Sequence, residues 1–373
     1  MRDAFDALVA VGRARVAGAA VQVGPPTVAS DTLISAARDH GMLGLLADAL
    51  RGDGPDAKTA AIRAAWRVDV ANALAAGRTA VEVYRALASA GVASVAYKGP
   101  ALAAQAYGDA TLRACEDVDV IVAPRDVVRA ADALRGIGFA PPRGMSWRRA
   151  SAEGRWVGQL ALVRSDGRLP VDVHWRLCGR SLPWSPPIPE LIARAAQVTI
   201  GGHELPVLEP HDAVVLVLLH SARHAWDKLE PFVAVGMLVG SGLDGTELLK
   251  RAGCVGGRRA LLTGLEVARR LLGAALPASV TEAIRSDGRV SPLADDAEAR
   301  LRRGSLGTRR DARLHLALLD SAVARARYLA VVAVDPTPAD FAAVRLPRGL
   351  RWAYYGVRPA RLVLRALGGG RRD

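Results

Sequence analysis

Cysteine is scarce in this chain, and the scarcity excludes two kinds of architecture. Cys115, Cys178 and Cys254 are far apart and form no CxxC pair, so neither a disulfide framework nor a structural zinc site is expected, and a reducing, cytoplasmic setting suits the pattern. Aromatic residues make up only 5% of the sequence. Lysine is rarer still: four of the 50 basic residues are lysines (Lys58, Lys98, Lys228, Lys250), and the rest are arginines. Long apolar runs are missing too. A stretch such as Ala213 to Leu219 falls far short of the roughly 20 residues that span a bilayer. The N-terminus alternates charged and apolar residues and has no signal-peptide core.

Apolar residues nevertheless form 51% of the 373 residues, enough for a sizeable core with one or two domains. The net charge of +13 is unevenly placed: eight arginines and no acids lie between Arg345 and Arg372, so this tail carries +8. Such a tail fits nucleic acid, anionic lipid or an acidic partner, or a terminal helix with its arginines in water.

The expected fold class is α+β, a small mixed sheet flanked by N-terminal and C-terminal helical regions. Helical periodicity covers Thr32 to Leu50 and Ala60 to Leu87, with Ser30 or Asp31 as the cap of the first and Gly52-Asp53-Gly54-Pro55 as its end. From Gly91 the texture changes. Val92 to Tyr97 reads as a strand that leads through Lys98-Gly99-Pro100 into a helix over Ala101 to Tyr107. Val118 to Val122 is a second strand, Pro124 to Leu134 a helix, and Gly136 to Phe139 a break with some strand character. Leu160 to Arg164 and Val171 to Trp175 form an antiparallel pair turning at Asp166-Gly167. A Pro-rich connector at Trp184 to Pro189 and the break at Glu209-Pro210 lead back into helices. The domain boundaries expected are 1–90, 91–210, 211–335 and a basic tail over 336–373.

The sharpest local pattern is Asp117-Val118-Asp119-Val120. On a strand the two carboxylates project from one face, about 7 Å apart. Two acids in an apolar strand are costly to desolvate without a cation, although an edge strand with one wet face explains them as well. Val171-Asp172-Val173-His174 repeats the motif later. Three strand-borne acids meet the requirement of a two-metal phosphoryl-transfer site. The glycine turn before them opens a helix, whose free N–H groups favour an anion.

This order of elements resembles the polymerase-β-type nucleotidyltransferase superfamily and, more narrowly, a bacterial group of uncharacterised nucleotidyltransferases. The residues that carry the likeness are Tyr97-Lys98-Gly99, Tyr107, Arg113, Asp117 to Val122, Asp172 to Trp175, His220, His224-Ala225-Trp226, Arg358-Pro359 and Arg361. The resemblance implies transfer of a nucleoside monophosphate from an NTP, with magnesium, or manganese in its place, held by Asp117, Asp119 and Asp172. These three are the implied catalytic residues; Gly99, Lys98 and Arg113 are implied triphosphate contacts. Pro100 departs from the wider superfamily, where Gly or Ser usually follows the turn glycine, and Ala234 stands near where the family usually carries an aspartate.

His220 and His224 share a helix face. No glutamate follows His220 as a zinc protease would require, so these histidines either face nucleotide or acceptor or pack within the helices. His174, on the same strand face as Asp172, either orients a carboxylate or meets substrate. The acceptor expected is a small molecule or a peptide or protein. A catalytically inactive nucleotide-binding or scaffold relative and an RNA-directed transferase using the basic tail are the alternatives.

Overall fold

The computed structural model of the chain describes residues 2–19, 28–52, 56–165, 169–304, 311–344 and 346–367. Among them a six-stranded sheet runs β3-β4-β2-β1-β6-β5, formed by β1 (Ser94–Ala96), β2 (Val118–Val122), β3 (Gln159–Leu162), β4 (Val171–His174), β5 (Ala196–Ile200) and β6 (His203–Val207). It is mixed: β2 runs antiparallel to β1 and parallel to β4, while β1 and β6 are parallel. With the helices around it, this is the α+β class expected.

Helices precede the sheet: α1 (Arg2–Ala17), α2 (Ser30–Asp39), α3 (Leu43–Ala49) and α4 (Ala57–Ser89). Within the sheet region lie α5 (Gly99–Tyr107), α6 (Val127–Gly136), α7 (Trp147–Val157) and α8 (Ile188–Ala193). After it come α9 (Pro210–Arg223), α10 (Glu230–Gly240), α11 (Gly245–Cys254), α12 (Arg258–Leu272), α13 (Ala278–Ser286), α14 (Val290–Arg303), α15 (Ala312–Leu318), α16 (Ala322–Val334), α17 (Pro338–Ala343) and α18 (Tyr354–Leu367).

Side-chain alternation on β2 divides the interior. Val118, Val120 and Val122 pack with Val83 and Leu87 of α4 and Leu134 of α6 in one cluster. Ile121 faces the other way, into a cluster that joins α1 to α3 with α9 to α16. Strand period two therefore turns Asp119, two residues before Ile121, toward the helical side of the sheet. The long α4 closes the opposite face. Asp56 caps it, accepting from Thr59 N at 2.9 Å and Thr59 Oγ1 at 2.8 Å, and Ala76, Ala80, Val83 and Leu87 make its buried stripe at three and four spacing.

Several local expectations need correction. Helix α2 begins at Ser30, so neither Ser30 nor Asp31 is its cap; Ala29 holds that position without a side-chain bond. The helical stretch Thr32 to Leu50 is two helices, because Gly41 at φ +70° turns the chain between them. Beyond Gly136 there is a single bridge, Ala140 to Val163, rather than a strand at Phe139. The β5–β6 hairpin turns at Gly201-Gly202, with φ +56° and +77°, the left-handed pair that a tight two-residue hairpin needs. The Asp166-Gly167 turn, residues 53–55, Arg345, Arg371 and Arg372 lie outside the described residues.

Candidate active site

The centre of the site is a match of register. Because β2 and β4 are parallel with Asp119 opposite Asp172 and Ile121 opposite His174, acids 53 positions apart in the sequence become neighbours on one face. A ligating atom from each of Asp119, Asp172 and His174 lies within 4.8 Å of the others. His174 Nε2 is 2.6 Å from Asp119 Oδ1, and Gln159 on β3 donates to Asp172 Oδ2 at 2.8 Å. Asp117 sits one residue before β2 and half-buried; it lies outside this tight group but within electrostatic reach of it.

The glycine turn abuts the acids. Lys98 at φ +64° and Gly99 at φ +53° both occupy the left-handed region. A Cβ on Gly99 would lie 3.9 Å from the Asp117 carbonyl oxygen, so the first turn of α5 stands directly beside the carboxylate segment. Pro100 falls in the first helical turn, where its missing N–H has no helical partner to lose. Lys98 Nζ is 3.5 Å from Asp119 Oδ2 and 4.4 Å from the centre of the Tyr97 ring. A non-glycine residue in that conformation is strained, which is common where a side chain is aimed at a ligand.

From the sheet a row of rings leads to α9. Tyr97 lies edge-on to His174 at 6.2 Å and to His220 at 6.1 Å, and His220 is 4.6 Å from His224. His220 and His224 thus continue the row that starts at His174, and the charge of Lys98 bears on both. Arg113 is tied elsewhere: its Nε donates to Glu230 Oε2 at 2.8 Å, and Tyr107 Oη donates to Glu230 Oε1 at 2.8 Å. Its charge still bears on Lys98 and His220.

Electrostatics separate the acids. Burial is the largest influence on each. For Asp119, only 7% exposed, the charge of Lys98 and the contact with His174 outweigh burial and hold the carboxyl at about 2. For Asp117, burial and the neighbouring Asp119 charge push the value up to about 6. Burial, aided by Asp119, also raises Asp172. Burial lowers Lys98, with Arg113 and Arg223 adding to the effect. His224 is brought down to about 4 by burial, Arg223 and Lys98, and His220 is held well below the ordinary range by burial and Lys98. Both imidazoles are neutral at neutral pH.

These residues fit a divalent cation. Two converging carboxylates and a third nearby supply the oxygen donors that magnesium or manganese takes. Lys98 matches only one of the three charges, and the raised Asp117 and Asp172 mark negative charge that a further cation would relieve. His174, bonded to Asp119, is placed either to orient that carboxylate or to offer a nitrogen ligand itself.

Sequence reasoning missed four participants. Arg223, between the two histidines on α9, has its Nη2 3.0 Å from His224 Nε2, and its position three residues after His220 was the available signal. Gln159, Glu230 and the bridging role of Tyr97 left no local pattern, since each depends on partners distant in sequence.

Comparison with known proteins completes the picture. The family described as "Uncharacterised nucleotidyltransferase" matches residues 26–273, more than half of the chain. The chain belongs to this family. The matched stretch contains every candidate site residue of the nucleotidyltransferase and stops before Arg358-Pro359, so the tail motif lies beyond it. No curated protein matches the chain. Among solved structures, an antigenic nucleotidyltransferase-like protein from Paracoccidioides brasiliensis is similar at 15% identity and a TM-score of 0.37, covering 55% of this chain and 94% of its own.

Proposed function

We propose that this nucleotidyltransferase moves a nucleoside monophosphate from an NTP to a hydroxyl or phosphate oxygen on a small molecule, peptide or protein, with magnesium or manganese held by Asp117, Asp119 and Asp172. The observation that carries the proposal is the placement of Asp119 and Asp172 opposite each other on parallel strands, beside the start of α5. In the reaction the acceptor oxygen bonds to the α-phosphorus, the bond to the bridging oxygen breaks, and pyrophosphate leaves. The bound ion would supply charge neutralisation at the phosphates and acidify the attacking hydroxyl. Asp172, with its raised proton affinity, takes the acceptor proton. His174 keeps Asp119 in place. Lys98 and the free amides of α5 bind the departing phosphates. Gly99 keeps the backbone close to them, and Arg113, held by Glu230, adds positive charge. Neutral His220 and His224 border nucleotide or acceptor from α9.

Purified chain given α-labelled NTP, magnesium and a panel of acceptors should transfer label. Asp119→Asn and Asp172→Asn should each lower the rate by roughly a thousandfold, as loss of several kcal/mol of charge stabilisation requires. Transfer that survives both substitutions would remove these acids from the chemistry.

A second reading has a specific observation behind it. Lys98 and His174 already satisfy Asp119 without an ion, as a scaffold that only binds nucleotide would have it. Calorimetric binding of ATP with magnesium, and no turnover on any acceptor, would favour that alternative. An RNA-directed enzyme is the third reading; it requires RNA binding that weakens steeply with salt.

A further inference from the structure

Exposed apolar side chains gather at the C-terminal end of the fold. Of fourteen large apolar side chains that stand exposed among the described residues, ten lie between Val323 and Leu364. Trp352 is 70% exposed, Leu364 68% and Val363 56%. On α18, Ala360, Val363 and Leu364 share a face directed to solvent, while Tyr354 is buried on the opposite side. The inner side is anchored: Tyr354 Oη donates to the Val344 carbonyl at 2.7 Å, Arg358 Nε donates to the Val332 carbonyl at 3.3 Å, and Arg361 pairs with Asp340. The exposed face therefore belongs to a docked element.

Charge accompanies the apolar face. From Ser321 to Arg372 there are ten arginines and two acids, a net +8. Both acids are matched, Asp340 by Arg358 and Arg361, and Asp335 by Arg180 at 3.8 Å. Arg351 stands between Leu350 and Trp352 in the sequence, and Arg365 follows Leu364.

We propose that the α16–α18 end of the chain is a docking surface for an anionic lipid bilayer, with Trp352, Val363 and Leu364 entering the headgroup boundary and the net positive charge of the segment drawing acidic headgroups. Exposed aliphatic side chains around one tryptophan on a strongly basic segment are the composition of an interfacial amphipathic element. Acidic lipids attract each nearby arginine in addition. RNA uses stacking aromatics, and seven of the ten exposed side chains here are aliphatic, with only Phe341, Trp352 and Tyr355 offering a ring. A second copy would set one +8 segment against another. The proposal is independent of the catalytic assignment, and an inactive protein would dock equally well.

The test is co-sedimentation of the full chain with phosphatidylcholine vesicles, with and without phosphatidylglycerol. Binding is expected with the acidic vesicles, falling as salt rises. Trp352→Ser combined with Leu364→Ser should lower the partition coefficient about tenfold or more. Val128→Ser, which removes an equally exposed apolar side chain on α6, should leave binding intact. Unchanged melting temperatures would show that the variants fold. No sedimentation with acidic vesicles, equal binding to neutral ones, or binding indifferent to the double substitution would overturn the proposal. So would a dimer that the same substitutions dissolve, or tight RNA binding, in the absence of vesicle binding.

Discussion

Single residues at this site take their properties from neighbours far away in sequence. Asp117 and Asp119 differ by two positions and by one valine, yet burial and charge separate them to about 6 and about 2. The partners responsible, Lys98 and His174, come from different elements. His224, lowered by burial, by its sequence neighbour Arg223 and by the distant Lys98, carries a consequence for stability. Its folded value of about 4 lies below the 6.5 of a free imidazole, so between those values the unfolded chain binds the extra proton. Stability conferred by the neutral ring is complete above pH 6.5 and is lost as pH falls toward 4. After allowance for solvent around this partly exposed ring, the loss is roughly 1–2 kcal/mol. Urea titrations at a series of pH values should show that His224→Gln flattens the acid side of the profile by that amount. An unchanged profile would mean that the ring charges freely in the folded state.

At the scale of elements, the decisive feature is the junction of β1 and α5. Two successive left-handed residues, Lys98 and Gly99, reverse the chain tightly enough to set the helix start beside Asp117. Space is not the constraint at Gly99, because an added Cβ would meet its nearest neighbours at 3.8 and 3.9 Å, ordinary contact distances. Conformation is. Gly99→Ala should therefore cost about 1–2 kcal/mol in urea unfolding, the penalty for a side chain in the left-handed region. Weaker NTP binding should accompany it as the backbone relaxes away from the acids. Strand β2 is the opposite case: its span of Val118 to Val122 was legible from composition, since four of its five residues are β-branched and apolar, with Asp119 the one acid among them. Hairpin β5–β6 was not, because its strands are short and partly polar, and their pairing depends on the Gly201-Gly202 turn.

Across the whole molecule the helical regions before and after the sheet share one core, in which α1 packs with α10 and α12. The acid-bearing face of the sheet thereby lies against the core that includes α9, and the far end of the chain is fastened by Asp340. This acid accepts from Thr337 N at 2.7 Å and Thr337 Oγ1 at 2.6 Å while pairing with Arg358 and Arg361. Removing it leaves two arginines and a helix start without their partner. Asp340→Ala should reduce stability by about 2–4 kcal/mol, and limited proteolysis should then cut the α17–α18 region first. Cleavage no faster than in the unaltered chain would show that the tail is held by apolar contacts instead.

Periodicity and residue type were sufficient to read the α+β class, the strands that carry Asp119 and Asp172, the glycine turn and the basic end of the chain, whereas Asp117, expected on the same strand as Asp119, lies one residue before it. Each of these is local, written in alternation, in spacing, or in which residues tolerate a tight turn. Pairing was not written there. His174 meets Asp119 from 55 positions away and Arg113 meets Glu230 from 117, and such contacts exist because strands align in register and helices share a core. Folding brought together the group of Asp119, Asp172 and His174, tied Arg113 to Glu230, and added Arg223 and Gln159 to the site. A hydrogen bond between distant residues has no signature in either neighbourhood until packing makes them adjacent.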